Sequence, residues 1–383
     1  MNIGFDAKRA YHNNTGLGFF SRVLISLLAG HYPENEYYLF NPRPGRSFHP
    51  NQENIHEILP AGALHQMLSA VWRSRWVTKD LVQRKIDLYH GLSHEIPVGM
   101  PKTGIPSVVT MHDLFPEIYP HQYKPIDTRI YRAKSRYACS HATKIMAISE
   151  ETKQHIMQIY GIPAEKIAVI YQSCAPAFMI QEPEEQKEVV RRKYHLPDAF
   201  FLHVGTIIER KNLLNICKAM QLIRDEIPVP LVVVGNDGGF KEKVQVYLKT
   251  MQLEDRVLFL SEQLESAGKK PFVATDELPA LYQLATAMIY PSYFEGFGMP
   301  IIEAMAGGVP VVTSTTSCLP EIAGGAAWLA NPDSPEEMAT GLRKIYSDPA
   351  FAAGMRTKGM ENARRFLPEV YAREVMELYR SIV

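Results

Sequence analysis

Pro291-Ser292-Tyr293-Phe294-Glu295-Gly296-Phe297-Gly298-Met299-Pro300-Ile301-Ile302-Glu303-Ala304-Met305-Ala306-Gly307-Gly308-Val309-Pro310 is the stretch from which the fold can be read. A β-rich apolar run at 287–290 precedes it. The stretch itself passes through a glycine-rich loop into a helical segment, and a second β-rich run occupies 309–313. Strand, loop, helix and strand in this order make the crossover that joins parallel strands. The backbone N–H groups of Phe297, Gly298 and Met299 stand where the loop enters the helix, a position that receives anions. Glu295 lies before the helix and Glu303 within it, and carboxylates accept hydrogen bonds from the hydroxyls of a polyol. A phosphate on the amides and a polyol on the carboxylates together suit a sugar nucleotide. The competing reading is a tight turn made by Gly296 and Gly298 with both glutamates solvated.

The same alternation runs along the whole chain. Further β-rich runs are expected at 2–6, 36–40, 87–89, 107–111, 144–148 and 168–171, and then at 200–204, 230–234 and 256–260. With 383 residues the chain is long enough for two domains, and the pattern predicts two Rossmann-like parallel-sheet α/β domains facing a central cleft. The expected boundaries are 1–175 for the first domain, 176–193 for a polar linker and 194–365 for the second. The remaining stretch, 366–383, reads as an amphipathic helix packing back on the first domain, with Val370, Leu378 and Ile382 on its apolar side.

Apolar residues make up 46% and charged residues 21%, which excludes disordered, collagen-like and coiled-coil classes. Lys+Arg and Asp+Glu are both 41, so no overall field argues for a nucleic-acid partner. The first 175 residues nevertheless carry 19 basic against 14 acidic side chains, and the remainder 22 against 27, so the first half is mildly basic. Cys139, Cys174, Cys217 and Cys318 form no C-x-x-C pair and read as buried thiols of a reducing compartment. No signal peptide or spanning apolar run is written in the chain, and the expectation is a cytoplasmic protein, at most peripheral on the inner face of a membrane.

Other candidates lie at strand ends. Gly205 ends the run at 200–204 and leads to adjacent Arg210 and Lys211. A planar fork and a point charge side by side suit the two phosphates of a nucleoside diphosphate, although such a pair is also an ordinary solvated helix start. Gly16 and Gly18 follow the first strand and would let backbone approach a ligand, or would serve only turn geometry. His112 and Asp113 follow the run at 107–111; His112 is either a contact to the reacting sugar or a structural hydrogen-bonder. The metal clamp D-x-D is absent, as are H-E-x-x-H, G-x-S-x-G and a Walker loop, so no metal and no separate cofactor are expected. Residues 64–85 combine Leu64, Met67, Leu68 and Val71 with Trp72, Arg73, Arg75, Trp76 and Lys79. They read either as a lipid-touching helix or as one packed on its own sheet. Residues 124–144 hold six Lys/Arg against Asp127 alone, a solvated face or a surface steering an anionic lipid-pyrophosphate acceptor.

Taken together, these motifs resemble the family-four retaining glycosyltransferases of GT-B fold, and most closely bacterial polysaccharide mannosyltransferases. The resemblance covers nearly the whole chain: Gly16 to Gly18, Met111-His112-Asp113, Ala147-Ile148-Ser149-Glu150, Gly205 with Arg210-Lys211-Asn212, Glu277-Leu278-Pro279-Ala280-Leu281-Tyr282, Glu295 with Glu303, and Leu319-Pro320-Glu321-Ile322. It implies that Arg210 and Lys211 neutralise the donor pyrophosphate, that Glu303 binds ribose hydroxyls and that Glu295 holds the transferred sugar. His112 would lie beside the anomeric centre, and Gly16 and Gly18 near the donor phosphates. The implied reaction moves a hexose, with mannose from GDP-mannose favoured, to a glycan or lipid-linked hydroxyl with retained configuration. A UDP-sugar donor, a phosphorylase or hydrolase, and a silent sugar-nucleotide-binding module are the alternatives. One departure from the family pattern is the polar insertion at 261–271.

Overall fold

The computed structural model describes residues 1–262 and 276–383 as two compact units, Met1–Ser173 with Pro368–Val383, and Cys174–Leu367. All but the first two residues of the insertion at 261–271 lie outside the described residues.

The first unit is a parallel sheet of β1 (Asn2–Asp6), β2 (Glu36–Phe40), β3 (Ile55–Ile58), β4 (Leu88–Gly91), β5 (Ser107–Met111), β6 (Lys144–Ala147) and β7 (Ile167–Val169), in the order β3-β2-β1-β4-β5-β6-β7. Both faces are covered, as parallel sheets require. Alternate side chains therefore enter different cores: Val108 and Met146 join one, while Val109, Met111, Ile145 and Ala147 join the other. The first of these cores also takes Leu24, Ile25 and Leu28 of the helix Gly16–His31 and Tyr371, Val375, Met376 and Tyr379 of the helix Pro368–Arg380. Tyr379 further bonds His90 Nδ1 at 2.5 Å, and His90 Nε2 bonds Thr110 Oγ1 at 2.7 Å, tying this last helix to β4 and β5.

The second unit holds β8 (Phe201–Val204), β9 (Leu231–Val234), β10 (Val257–Phe259), β11 (Ala287–Tyr290), β12 (Val311–Ser314) and β13 (Trp328–Ala330) in the order β10-β9-β8-β11-β12-β13, again with every pair parallel. In both sheets the chain winds outward from its first strand and then returns to the other side of it. That reversal leaves a crevice at the carboxyl ends of β1 and β4, and another at β8 and β11, where such sheets bind ligands.

Residues 176–193 are not a linker. Pro176–Met179 form a 3-10 turn and Glu184–Lys193 a helix, both belonging to the second unit. The polar composition describes the outer face only. Val190 and Tyr194, four residues apart and therefore on one side, are buried, and Phe178 meets the Tyr282 ring edge-on at 5.5 Å. Residues 64–85 are likewise not one continuous helix. They divide into Ala63–Met67, Ser69–Val71, a π-helical turn Trp72–Trp76 and Val77–Gln83. The extra residue in the π turn carries Trp72 and Arg73 inward, where Trp72 is fully buried and donates to Asp80 at 2.6 Å. Leu64, Met67, Leu68 and Val71 stay exposed, as do Arg75, Lys79 and Val82 further on. All four cysteines are buried and none is in a disulfide.

Met376 is fully buried in the core shared by the last helix and the first sheet. Met376→Ala is expected to destabilise the first unit by about 2–5 kcal/mol. Urea denaturation followed by fluorescence of Trp72 and Trp76 measures this, and an unchanged midpoint would show that the helix is dispensable there.

Candidate active site

The second sheet's crevice is built by two strand ends. β8 runs into Gly205, then the turn Glu209–Lys211, and Asn212 takes a left-handed backbone (φ 64°) that starts the next helix. That conformation suits Asn better than most residues. The Asn212 amide also donates to Pro291 O at 3.1 Å and Pro332 O at 2.7 Å, so the turn is tied to the loop after β11. Tyr293 N returns a bond to Arg210 O at 3.0 Å.

These ties bring the adjacent side chains of Arg210 and Lys211 against Glu295, which lies 84 residues beyond Lys211 in sequence. Lys211 Nζ sits 2.6 Å and Arg210 Nη1 2.9 Å from the same oxygen, Glu295 Oε1. Tyr290, the last residue of β11, donates to that oxygen at 3.1 Å and also bonds Lys211 Nζ, whose ammonium lies 4.7 Å above the Tyr290 ring. Burial alone would raise the Glu295 pKa, but Lys211 and Arg210 overcome it and hold the carboxyl ionised at about 2. Lys211 is lowered by burial, a shift that Glu295 resists and Arg210 reinforces. The Glu295 backbone is fixed in turn, since its N–H donates to Ser317 Oγ at 3.0 Å and its carbonyl accepts the Ser317 hydroxyl at 2.8 Å.

Gly298 opens the helix Met299–Ala306 with φ 104°, and a Cβ there would stand 2.7 Å from Leu319 Cδ2. The glycine is therefore required by conformation and by space. Gly298 and Met299 present first-turn N–H groups, which no helical carbonyl can satisfy. The Phe297 side chain is a core group, edge-on to Phe366 at 5.9 Å. Glu303, one turn further, has a different environment from Glu295. Its carboxyl accepts the Tyr282 hydroxyl at 2.7 Å, and burial pushes it up to about 7 despite that bond.

In the first unit His112 is buried after β5. Its Nε2 lies 2.9 Å from Leu92 O, and a carbonyl only accepts, so the ring proton is on Nε2 and the Nδ1 lone pair remains available. Burial, then His94, lower its pKa to about 3, and the ring is neutral at physiological pH. Phe20 packs edge-on against it at 4.5 Å. Gly16 and Gly18 separate in role. A Cβ at Gly18 would collide with Asn13 O at 1.8 Å, whereas one at Gly16 would meet nothing within 4 Å. Gly18 is a packing requirement, and Gly16 faces open space. Near Gly205 the constraint falls on Gly235, whose Cβ would sit 1.9 Å from Gly205 O.

Sequence reasoning missed four residues of these sites. Tyr282 stood only as the last residue of the motif at 277–282, Tyr290 and His203 fell inside the β-rich runs at 287–290 and 200–204, and His94 stood in no motif. His203 is buried beside Tyr290, with Nδ1 on Ile289 O at 3.0 Å. His94 Nε2 accepts the His112 N–H at 2.8 Å.

Residues 186–366 match the family described as "Glycosyl transferases group 1", and residues 23–174 match "Glycosyltransferase Family 4". Along 100% of both proteins the chain is 26% identical to the O-antigen chain mannosyltransferase B of Escherichia coli. It is 29% identical to the O-antigen chain mannosyltransferase RfbU of Salmonella typhimurium over 67% of this chain and 64% of that protein. Among solved structures, Anabaena Alr3699/HepE in complex with UDP-glucose superposes with a TM-score of 0.75 at 18% identity, covering 100% of each chain. WaaG, a glycosyltransferase involved in lipopolysaccharide biosynthesis, gives 0.71 at 17%, covering 98% of this chain and 99% of that one. At these identities the two structures establish the fold.

The raised Glu303 pKa has a signed consequence for stability. The folded carboxyl keeps its proton to about 7, while the unfolded one loses it near the ordinary glutamate value of 4.5, so stability falls as pH rises from 4.5 to 7 and is level above. Glu303→Gln is expected to flatten this part of the profile by about 3 kcal/mol. Urea midpoints across that pH range test it, and parallel profiles for the two proteins would contradict the assignment.

Proposed function

The chain belongs to the family-four glycosyltransferases of GT-B fold, and from that premise we propose that it transfers mannose from GDP-mannose to a hydroxyl of a growing O-antigen-type polysaccharide, with retention and without a metal. The named activities of the E. coli and Salmonella relatives support the sugar and the acceptor class. The observation that carries the reading is the buried cluster of two cations on one carboxylate at the β8/β11 crevice.

A nucleoside diphosphate offers Arg210 and Lys211 a second, stronger anionic partner than Glu295. Once the cations meet phosphate oxygens, Glu295 is released to accept hydroxyls of the sugar, and Glu303 with Tyr282 holds the ribose hydroxyls. The free first-turn amides of Gly298 and Met299 meet further donor oxygens. The departing diphosphate gathers negative charge as the glycosidic bond breaks, and the two cations stabilise it most at that moment. The acceptor hydroxyl attacks from the face the leaving group vacates and gives its proton to the departing phosphate oxygen, so configuration is retained without a carboxylate pair of the hydrolase kind. Neutral His112 takes part as a hydrogen-bond acceptor through Nδ1 and not as a proton donor.

No helix among the described residues is long and apolar enough to cross a membrane. Exposed Ile126 and Ile130 on the basic helix Pro125–His141 support a peripheral contact with an anionic surface.

Lys211→Ala is expected to lower kcat by about 10²–10³-fold, the usual cost of deleting one charge stabiliser, with the fold retained. Release of GDP from GDP-mannose in the presence of an O-antigen primer measures this. Near-normal turnover would remove Lys211 from the reaction, and faster turnover of UDP-sugars would reassign the donor.

A further inference from the structure

The loop after β11 is gripped along one side by the loop after β12. Three consecutive side chains of the second loop donate to alternate carbonyls of the first: Thr316 Oγ1 to Tyr293 O at 3.1 Å, Ser317 Oγ to Glu295 O at 2.8 Å and Cys318 Sγ to Phe297 O at 3.0 Å. Cys318 Sγ also lies 3.2 Å from Glu295 O, but a thiol has one proton and that carbonyl already takes the Ser317 hydroxyl. Leu319 continues the series, since its side chain is the one a Cβ at Gly298 would strike. Parallel pairing of β11 with β12 brings both loops out at the same edge of the sheet and so allows this register.

A trans peptide is planar, with its N–H directed opposite to its carbonyl. Fixing the Glu295 and Phe297 carbonyls on the 316–318 side therefore turns the N–H groups of Gly296 and Gly298 to the other side. Arg210 stands there. Its Nη1 takes Phe294 O, a carbonyl that the 316–318 series passes over, and lies 2.9 Å from Glu295 Oε1. Amides and cations then face one place, the arrangement that receives an anion. Ser317 holds its end of the grip at a conformational cost, a left-handed backbone (φ 59°) on a residue other than glycine, and such strain is typical of a functional position. Glycine would take the same φ without strain. What serine adds over glycine is the hydroxyl that holds Glu295.

We propose that Ser317 and Cys318 are positioning residues for the donor: they turn the Gly296 and Gly298 amides toward the diphosphate that Arg210 and Lys211 hold. The inference rests on the reading of this crevice as the donor-phosphate site, and adds the two side chains that aim its amides. Its test needs no turnover, so the two fail separately.

Inorganic pyrophosphate is the probe, titrated by calorimetry, and its specific binding is the part that Arg210→Ala with Lys211→Ala removes. Ser317→Gly is expected to weaken this binding about tenfold, the worth of one or two hydrogen bonds. Its urea midpoint is expected to stay near that of the unaltered protein, because the strain it relieves offsets the bonds it deletes. Cys318→Ala is expected to weaken the binding in the same way, and Cys318→Ser, which keeps a donor, to retain it. Unchanged affinity in Ser317→Gly and Cys318→Ala, an equal loss in Cys318→Ala and Cys318→Ser, or a loss seen only where the midpoint falls with it would overturn the inference and leave the donor site standing. Pyrophosphate binding indifferent to Arg210 and Lys211 would remove the site itself, and this inference with it.

Discussion

Two cations share one carboxylate at the carboxyl ends of β8 and β11, and the chemistry of the second unit follows from that imbalance. Removing charges from water is costly unless they are paired and hydrogen-bonded. Here Lys211 and Arg210 both draw on Glu295 Oε1, leaving an excess of positive charge in a mostly buried place. The arrangement persists because its scaffold is rigid. Asn212 bonds two carbonyls, Ser317 grips the Glu295 backbone and the Tyr290 ring lies under the Lys211 ammonium. A buried excess charge that cannot relax is a standing affinity for an anion, and a preorganised one stabilises charge without reorganising as it develops.

The two units repeat one device with different wiring. Each sheet begins at an interior strand, third from one edge, and in each an adjacent Lys/Arg pair follows that strand, Lys8-Arg9 after β1 and Arg210-Lys211 after β8. In the second unit the pair meets a carboxylate from the neighbouring strand end. In the first, the carboxylates are matched by Arg73 and Lys134 instead, so Lys8 and Arg9 are left over. Deleting Arg73 would strand the buried Asp6 carboxylate and leave Glu95 to Lys134 alone, which makes it a structural cation, whereas no ion pair among the described residues depends on Lys8 or Arg9.

Much of this was legible in the sequence because it is local. Strands buried on both faces announce themselves as continuous apolar runs, and eleven such runs were read where strands or their flanks lie. The two strands that escaped, β3 and β13, are at sheet edges; Ile55-His56-Glu57-Ile58 is half polar and Trp328-Leu329-Ala330 has only three residues. Arg210, Lys211 and Glu295, which the fold brings together, could be singled out, with Glu303, because each stands in a contiguous motif. Arg73 was read as solvated or lipid-facing because nothing in a helical periodicity foretells a π turn, which rotates every later side chain. Tyr290, Tyr282, His94 and His203 escaped for a related reason, since their partners come from other strands and no spacing records them.

The pair Glu295 and Glu303 shows how environment divides labour between identical side chains eight residues apart. Both are withdrawn from water, which favours the neutral acid. Glu295 faces two cations and is held ionised at about 2, while Glu303 is bonded to the Tyr282 phenol and is pushed up by burial to about 7. A carboxylate that is always charged can only accept hydrogen bonds, and it competes for the cations that a phosphate needs. A carboxyl balanced near neutrality can donate one bond and accept others, which matches hydroxyls that do both. Glu295 and Glu303 therefore stand in one unit in different protonation states, the first ionised and the second able to donate as well as accept.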